Sequence, residues 1–521
     1  MKKRAVLIGF LAVAALITSF YKMSQARQNV SISTIQIGAL PATLFRLAEP
    51  NKFQPSQRQG LQPVVVIAHG FAGSQQLMQP LALTLARNGF VALTFDFSGH
   101  GRNAQPMPGG LVNLQRSTDA LIEDISQVVA YARTLPGTDP AVGLVGHSMA
   151  SELVVQFAQT QNPGPIKAVT AISLFGQSVT ATSPPNLLVI DGALEFQMLV
   201  DGGLRIMSDA AHGPAQPLTT YGDFSAGTAR RLVLARGAEH IGVIYSEDAL
   251  HETLQWMDAA FQNPAPATSA FLDQRGGWIG LMFLSLVVLA WPLSHTLRVV
   301  SPTLLGAGLP WQRLLLVGLA PAILTPLILW KLPTRFLPIL LGDYLVIHFA
   351  LYGVLTFAML RFVNRHAAAV GPQASPNKRA LLFDVAAMAL FTIVGLGWPI
   401  DHFVTSFVPT GERWWIIPIM LLGTASYFLA DEWITRGTGA ARGGSIFTKV
   451  CFLISLIVAI ALNPQKLFFL VIIIPVICVL FVVYGLFSRW VLARTGDPRV
   501  AALGNAMGLA VAISVTFPIV G

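Results

Sequence analysis

The sequence predicts two structural classes in one chain: an α/β domain on a mostly parallel sheet, and an all-α bundle of transmembrane helices. Three observations predict it. Of the 521 residues 53% are hydrophobic and 11% charged, with a mean hydropathy of +0.61, whereas ordinary globular chains carry about 25% charged residues. Apolar stretches near 20 residues long crowd the C-terminal half, and short β-rich runs alternate with helical segments before them. Charge divides along the same line: residues 1–21 hold three basic and no acidic residues, 22–277 hold 15 basic and 18 acidic, and 278–521 hold 16 basic and 7 acidic. The high pI therefore belongs to the ends of apolar helices. No basic face suits nucleic acid, and that class is excluded. Both cysteines, Cys451 and Cys478, lie in apolar runs near the C-terminus, which excludes a disulfide framework, a thiolate zinc site and a cysteine nucleophile from the middle of the chain.

Residues 1–29 read as a signal anchor or signal peptide with a short linker. Lys2, Lys3 and Arg4 precede an apolar run over 5–21, just long enough to span a bilayer. Ser24-Gln25-Ala26 offers a small-x-small cleavage site, although an uncleaved anchor is the preferred reading. Either choice carries residue 30 onward across the membrane.

Residues 30–262 form the α/β domain. Period-two runs at 30–37 and 42–48 predict an antiparallel opening pair. Strands follow at 64–68, 91–95, 142–145, 168–173, 187–190 and 232–235, and helical segments separate most of them. In 118–134 the residues Leu121, Ile122, Ile125, Val128, Val129 and Ala132 make one helix face. A linker at 263–277, introduced by the Pro/Ala-rich stretch 262–269, leads to the transmembrane domain at 278–521. Its eight apolar stretches lie near 278–297, 313–331, 337–361, 380–400, 413–432, 446–463, 467–488 and 500–520. Alternating sides from the anchor puts twelve basic residues on the cytoplasmic side and four opposite, in accord with the positive-inside rule. The α/β domain and the C-terminus then face outward.

Chemistry concentrates at 142–151, Val-Gly-Leu-Val-Gly-His-Ser-Met-Ala-Ser. An apolar strand runs into a tight turn and a helix follows, so the Ser148 hydroxyl stands exposed above the sheet. Small residues two before and two after it, Gly146 and Ala150, let strand and helix pack closely. A serine nucleophile needs a base, and the base an orienting acid.

This segment, with Val-Val-Val-Ile-Ala-His-Gly-Phe at 64–71 and Phe-Asp-Phe-Ser-Gly-His-Gly at 95–101, resembles the α/β-hydrolase superfamily, particularly its dienelactone-hydrolase and serine-esterase-like branches. The resemblance covers about residues 60–262. It implies Ser148 as nucleophile and the backbone N–H groups of Phe71 and Met149 as an oxyanion hole. It also implies the chain order serine, acid, histidine. Of the downstream histidines His212, His240 and His251, His240 lies just past the last strand, where the family places its base. Gly192-Ala-Leu-Glu195 matches a pattern that usually ends in aspartate, so Glu195 is the expected acid. Asp191, at the strand end, is the alternative. The long stretch 196–229 between acid and base reads as a lid, a substrate wall or a surface excursion.

In the bundle, Asp343, His348, Asp384 and Asp431–Glu432 are the ionisable residues of note, expected mainly to pair locally. Asp401, His402 and Glu412 lie in an outer loop placed to contact the α/β domain. Gly504 and Gly508 have the spacing for close helix packing.

The resulting expectation is a membrane-anchored serine hydrolase in a bacterial inner or plasma membrane. It cleaves an ester, thioester or amide, small or lipid-like, on the extracytoplasmic side through an acyl-enzyme, with no cofactor and no metal. The alternatives are a transporter or assembly protein with a hydrolase-like binding domain, and an acyltransferase. Oligomeric state is left open. Eight helices exceed what tethering needs, which suggests that the bundle presents a lipidic substrate and that residues 30–265 alone retain small-ester activity.

Overall fold

A computed structural model describes residues 2–48, 61–110, 112–161, 164–176, 178–263, 270–365 and 375–521. The chain divides into two compact units. One comprises residues 17–282 with 400–406 and 518–521; the other comprises 1–16, 283–399 and 407–517.

The first unit is built on an eight-stranded sheet in the order β1-β2-β4-β3-β5-β6-β7-β8. Its strands are β1 (Val30–Ile37), β2 (Leu40–Leu47), β3 (Gln62–Ala68), β4 (Val91–Phe95), β5 (Thr138–His147), β6 (Ile166–Ile172), β7 (Leu187–Gly192) and β8 (Arg230–Ala235). β1 pairs antiparallel with β2, and β2 antiparallel with β4; every later pairing is parallel. Parallel strands are covered on both faces, so they read as continuous apolar runs. β3 shows the pleat within such a run: Val64, Val66 and Ala68 enter one core and Val65 and Ile67 the other. The first core is closed by α3 (Leu114–Ala132), α4 (Met149–Thr160) and α5 (Gln197–Ala211). The second is closed by α2 (Gln79–Arg87) and α6 (Glu247–Ala260). The N-terminal helix α1 is Lys2–Gln25. The face of α3 runs as expected, with Leu121, Ile125, Val128, Val129 and Ala132 buried and Ile122 packed beside them. Asn113 caps that helix by accepting the Arg116 N–H at 3.0 Å, which satisfies an otherwise orphaned donor.

The stretch 196–229 is only partly an excursion. Its first half is α5, which buries Leu199, Ile206 and Met207 and is a layer of the fold. Apolar residues at 199, 206 and 207, seven and eight positions apart, are the signal for it. Of the stretch 262–269, residues 264–269 lie outside the described residues. The following residues are packed, with Phe271 against the second core and Asp273 in a buried pair with Arg275.

Among the described residues nine helices are long and apolar enough to cross a membrane, the first at Lys3–Gln25 and the last at Pro498–Thr516. Within the second unit, helices Gly342–Asn364 and Arg413–Thr435 meet backbone to backbone. A Cβ on Gly353 would lie 2.3 Å from the Ser426 carbonyl oxygen, the close approach that small residues permit. Gly504 packs on Met388 and Gly508 on Thr392, inside this unit. Lys449 pairs with Asp431 at 2.7 Å and Arg436 with Glu432 at 2.8 Å. His348 is buried between the Tyr344 and Ser455 hydroxyls, each at 3.2 Å. Asp384 accepts the Arg298 N–H at 3.0 Å.

Candidate active site

Ser148 sits between the end of β5 and the start of α4 with φ 56° and ψ −120°, a conformation that costs a non-glycine residue of order 1–3 kcal/mol. The turn is so tight that a Cβ on Gly146 would come 2.3 Å from the Ala150 carbonyl oxygen. Glycine at that position is a steric requirement. Ala150 is fully buried, and its methyl group is accommodated. The Ser151 hydroxyl donates to the Ser148 carbonyl at 2.6 Å and helps hold the turn.

His240, in the loop after β8, places Nε2 2.9 Å from Ser148 Oγ. Its Nδ1 lies 3.3 Å from Glu195 Oε1, and the Glu195 side chain is only 1% exposed. The Ser173 hydroxyl donates to the same Oε1 at 2.6 Å. Ser173 follows β6 with φ 61°, so its hydroxyl is aimed by an unusual backbone. A Nδ1–H on His240 is favoured by the adjoining carboxylate, leaving the Nε2 lone pair toward Ser148.

Asp191 is fully buried at the end of β7. Burial first, and then the charge of Glu195, push its carboxyl up to about 8. At neutral pH it is mainly protonated and supplies little negative charge for an imidazolium. The carboxylate within reach of His240 Nδ1 is that of Glu195. His212 caps α5 and His251 lies within α6; the structure brings neither to Ser148.

The loop after β3 approaches the serine from the other side. A Cβ on Gly70 would lie 3.0 Å from both Ser148 Cβ and the His147 carbonyl oxygen, so the loop presses against the nucleophile. Phe71 follows directly, and Met149 is the first residue of α4, where backbone N–H groups have no intrahelical acceptor. His69 fixes the base of this loop. Its Nδ1 donates to the Gly70 carbonyl at 2.8 Å and its Nε2 accepts the Phe97 N–H at 3.2 Å. Burial holds this imidazole below its usual range and keeps it neutral. Asp96 accepts from the Gln75 N–H at 2.8 Å, from Gln75 Nε2 at 2.9 Å and from the Arg102 N–H at 3.1 Å. The Asp-x-x-Gly-x-Gly run thus braces the loop and stands away from the serine.

A family model described as serine aminopeptidase, S33, matches residues 59–189. This part of the chain has the α/β-hydrolase fold. No curated protein sequence matches the chain. Solved structures similar to this chain include TT1662 from Thermus thermophilus, at 14% identity and TM-score 0.32, over 45% of this chain and 99% of that one. Est1E from Butyrivibrio proteoclasticus with bound ferulic acid is 15% identical with TM-score 0.31, over 44% and 98%. XC6422 from Xanthomonas campestris, described as an α/β serine hydrolase without lid, is 15% identical with TM-score 0.30, over 46% and 98%. The family match ends at residue 189, before Glu195 and His240, so their placement rests on the geometry of this α/β unit.

Three residues of the site carried no signal in the sequence reading. Ser173 and Ser151 are ordinary polar residues at a strand end and a helix start. His147 stands inside the serine motif, yet its partner, the backbone of His240, lies 93 residues away.

Proposed function

We propose that the chain is a membrane-anchored serine hydrolase that cleaves an ester, thioester or amide through an acyl-enzyme, with the hydrolase domain on the extracytoplasmic side. The observation that carries the reading is the series Ser148 Oγ, His240 Nε2 at 2.9 Å, and Glu195 Oε1 at 3.3 Å from His240 Nδ1, set on an α/β-hydrolase fold. His240 Nε2 takes the hydroxyl proton as Ser148 Oγ bonds to the carbonyl carbon. The negative charge passes to the carbonyl oxygen, which Phe71 and Met149 N–H groups receive; a preorganised donor of this kind contributes about 2.7–4 kcal/mol. Glu195 steadies the imidazolium. His240 then delivers its proton to the leaving oxygen, sulfur or nitrogen as the carbonyl–heteroatom bond breaks. Water, deprotonated by the same nitrogen, attacks the acyl carbon, and His240 gives that proton to Ser148 Oγ as the acyl–oxygen bond breaks and the acid is released. Nine apolar helices among the described residues and the excess of basic residues on one side of them support the multi-pass anchoring and its direction.

A fluorophosphonate probe on the full chain in detergent tests this reading. Ser148 should be labelled in the wild type, with no label in Ser148→Ala, and 4-nitrophenyl acetate turnover should disappear with it. A wild type that neither labels nor turns over esters would refute the proposal.

A further inference from the structure

The unit that holds Ser148 contains two segments far from the sheet in sequence, residues 400–406 and 518–521. We propose that these segments are positioning elements of the active site, holding the oxyanion loop 70–74 and its neighbour 97–107, so that the catalytic unit is complete only in the full chain. The inference rests on the hydrolase reading above.

Ser74 ends the oxyanion loop and is 1% exposed. Its Oγ accepts the Ser406 N–H at 2.9 Å and lies 2.9 Å from Thr405 Oγ1. Either hydroxyl can be the donor in the Ser74–Thr405 bond. Ser406 is 3% exposed, so water does not compete for its bond to Ser74, and loss of that partner strands the other in a dry site. Inside the loop, the Gly73 N–H closes a turn on the Gly70 carbonyl at 3.1 Å, and Gly70 abuts Ser148. Ser74 thus joins a short rigid segment that carries the Phe71 amide. Arg27, whose guanidinium donates to the His402 carbonyl at 3.3 Å and to Gln79 Oε1 at 2.9 Å, ties the same segment to the start of α2.

The second segment seals the adjoining loop. The Met107 N–H donates to the Ile519 carbonyl at 2.8 Å, the Ile519 N–H to the Gly99 carbonyl at 2.9 Å, and the Gly521 N–H to the Met107 carbonyl at 3.2 Å. The approach is flush: a Cβ on Gly99 would stand 2.3 Å from the Ile519 carbonyl oxygen. That loop carries His100, whose ring lies 5.4 Å from the ring of His69 and 6.2 Å from that of Phe71. Both segments therefore bear on the residues that aim the oxyanion donor, and neither touches the reacting atoms. Small displacements of such donors are costly in rate, since about 1 Å loses on the order of 10².

The inference reverses the expectation that residues 30–265 suffice, because that fragment lacks both segments. The test uses the full chain in detergent, with Ser74→Ala, Thr405→Val, Thr405→Ser and a deletion of residues 518–521. Fluorophosphonate labelling rate at Ser148 and kcat and KM for 4-nitrophenyl acetate are measured per labelled site, so unfolded protein does not count. Ser74→Ala and Thr405→Val should lower kcat and labelling rate about tenfold, and the deletion about 10- to 100-fold, each with KM within about twofold. Thr405→Ser should restore both rates. Wild-type rates per labelled site in Thr405→Val and the deletion would overturn this inference alone. A wild type that does not label at Ser148 would overturn the hydrolase reading and this inference with it.

Discussion

The ring of His147 holds the backbone of His240: its Nε2 donates to the His240 carbonyl at 2.8 Å, and the two rings lie 5.1 Å apart. The residue before Ser148 thereby fixes the loop that carries His240. This part-buried hydrogen bond joins the side chain next to Ser148 to the backbone of His240 and so restrains the Ser148–His240 distance.

Ser148→Ala and His240→Ala should each reduce turnover on the order of 10³–10⁶-fold, and the double variant little further, because the two act as one unit. Steady-state turnover of 4-nitrophenyl acetate by the three proteins measures it. Additive losses would mean that the residues act separately.

Glu195→Gln should cost on the order of 10²–10⁴ in kcat, since it removes the charge that steadies the imidazolium. Asp191→Asn should cost less than about tenfold, because burial and Glu195 already keep that group protonated. The same raised carboxyl makes the folded state lose stability as pH climbs from about 4 toward about 8, and Asp191→Asn should flatten that decline. Paired kinetics and chemical denaturation across this range decide it. A larger kinetic loss in Asp191→Asn would move the acid to Asp191.

Burial, and then the charge of His240, hold His147 down to about 3, whereas an unfolded histidine titrates near 6.5. The unfolded state therefore binds the extra proton first. Stability from this residue is present above about pH 6.5 and is lost as pH falls toward about 3. His147→Gln should show a shallower loss between pH 6.5 and 4, read by guanidinium unfolding of the detergent-solubilised chain. An unchanged slope would show that His147 does not titrate differently in the two states.

Gly70→Ala should lower kcat about 10- to 100-fold with little change in KM, because the added methyl meets Ser148 Cβ and the His147 carbonyl at 3.0 Å. Ala150→Gly should stay within about threefold, as its methyl makes no essential contact with the turn. Equal behaviour of the two variants would argue against a close-packed oxyanion loop.

A periplasmic reporter such as alkaline phosphatase, fused after Gly521, should be active, and a cytoplasm-only reporter silent. The opposite pattern would invert the orientation proposed for the hydrolase domain.

The sequence alone was enough for the alternation of strands and helices that builds the mostly parallel sheet, because strand and helix periods are local properties of consecutive side chains. The run at 64–68 is apolar at every position since both sheet faces are covered, and 91–95 matches β4 residue for residue. Ser148 was legible for the same reason: a strand, a turn needing small residues and a helix are contiguous. The long apolar helices needed only composition and length. Tertiary structure decided what lies between distant segments. Glu195 and Asp191 are four residues apart at one strand end and both side chains are buried, and only packing puts Glu195 beside His240. Ser173 became part of the site through its backbone conformation, which leaves no signature in residue type. Residues 400–406 and 518–521 join the unit that holds Ser148 by hydrogen bonds across hundreds of positions, and no local pattern encodes a partner at that distance.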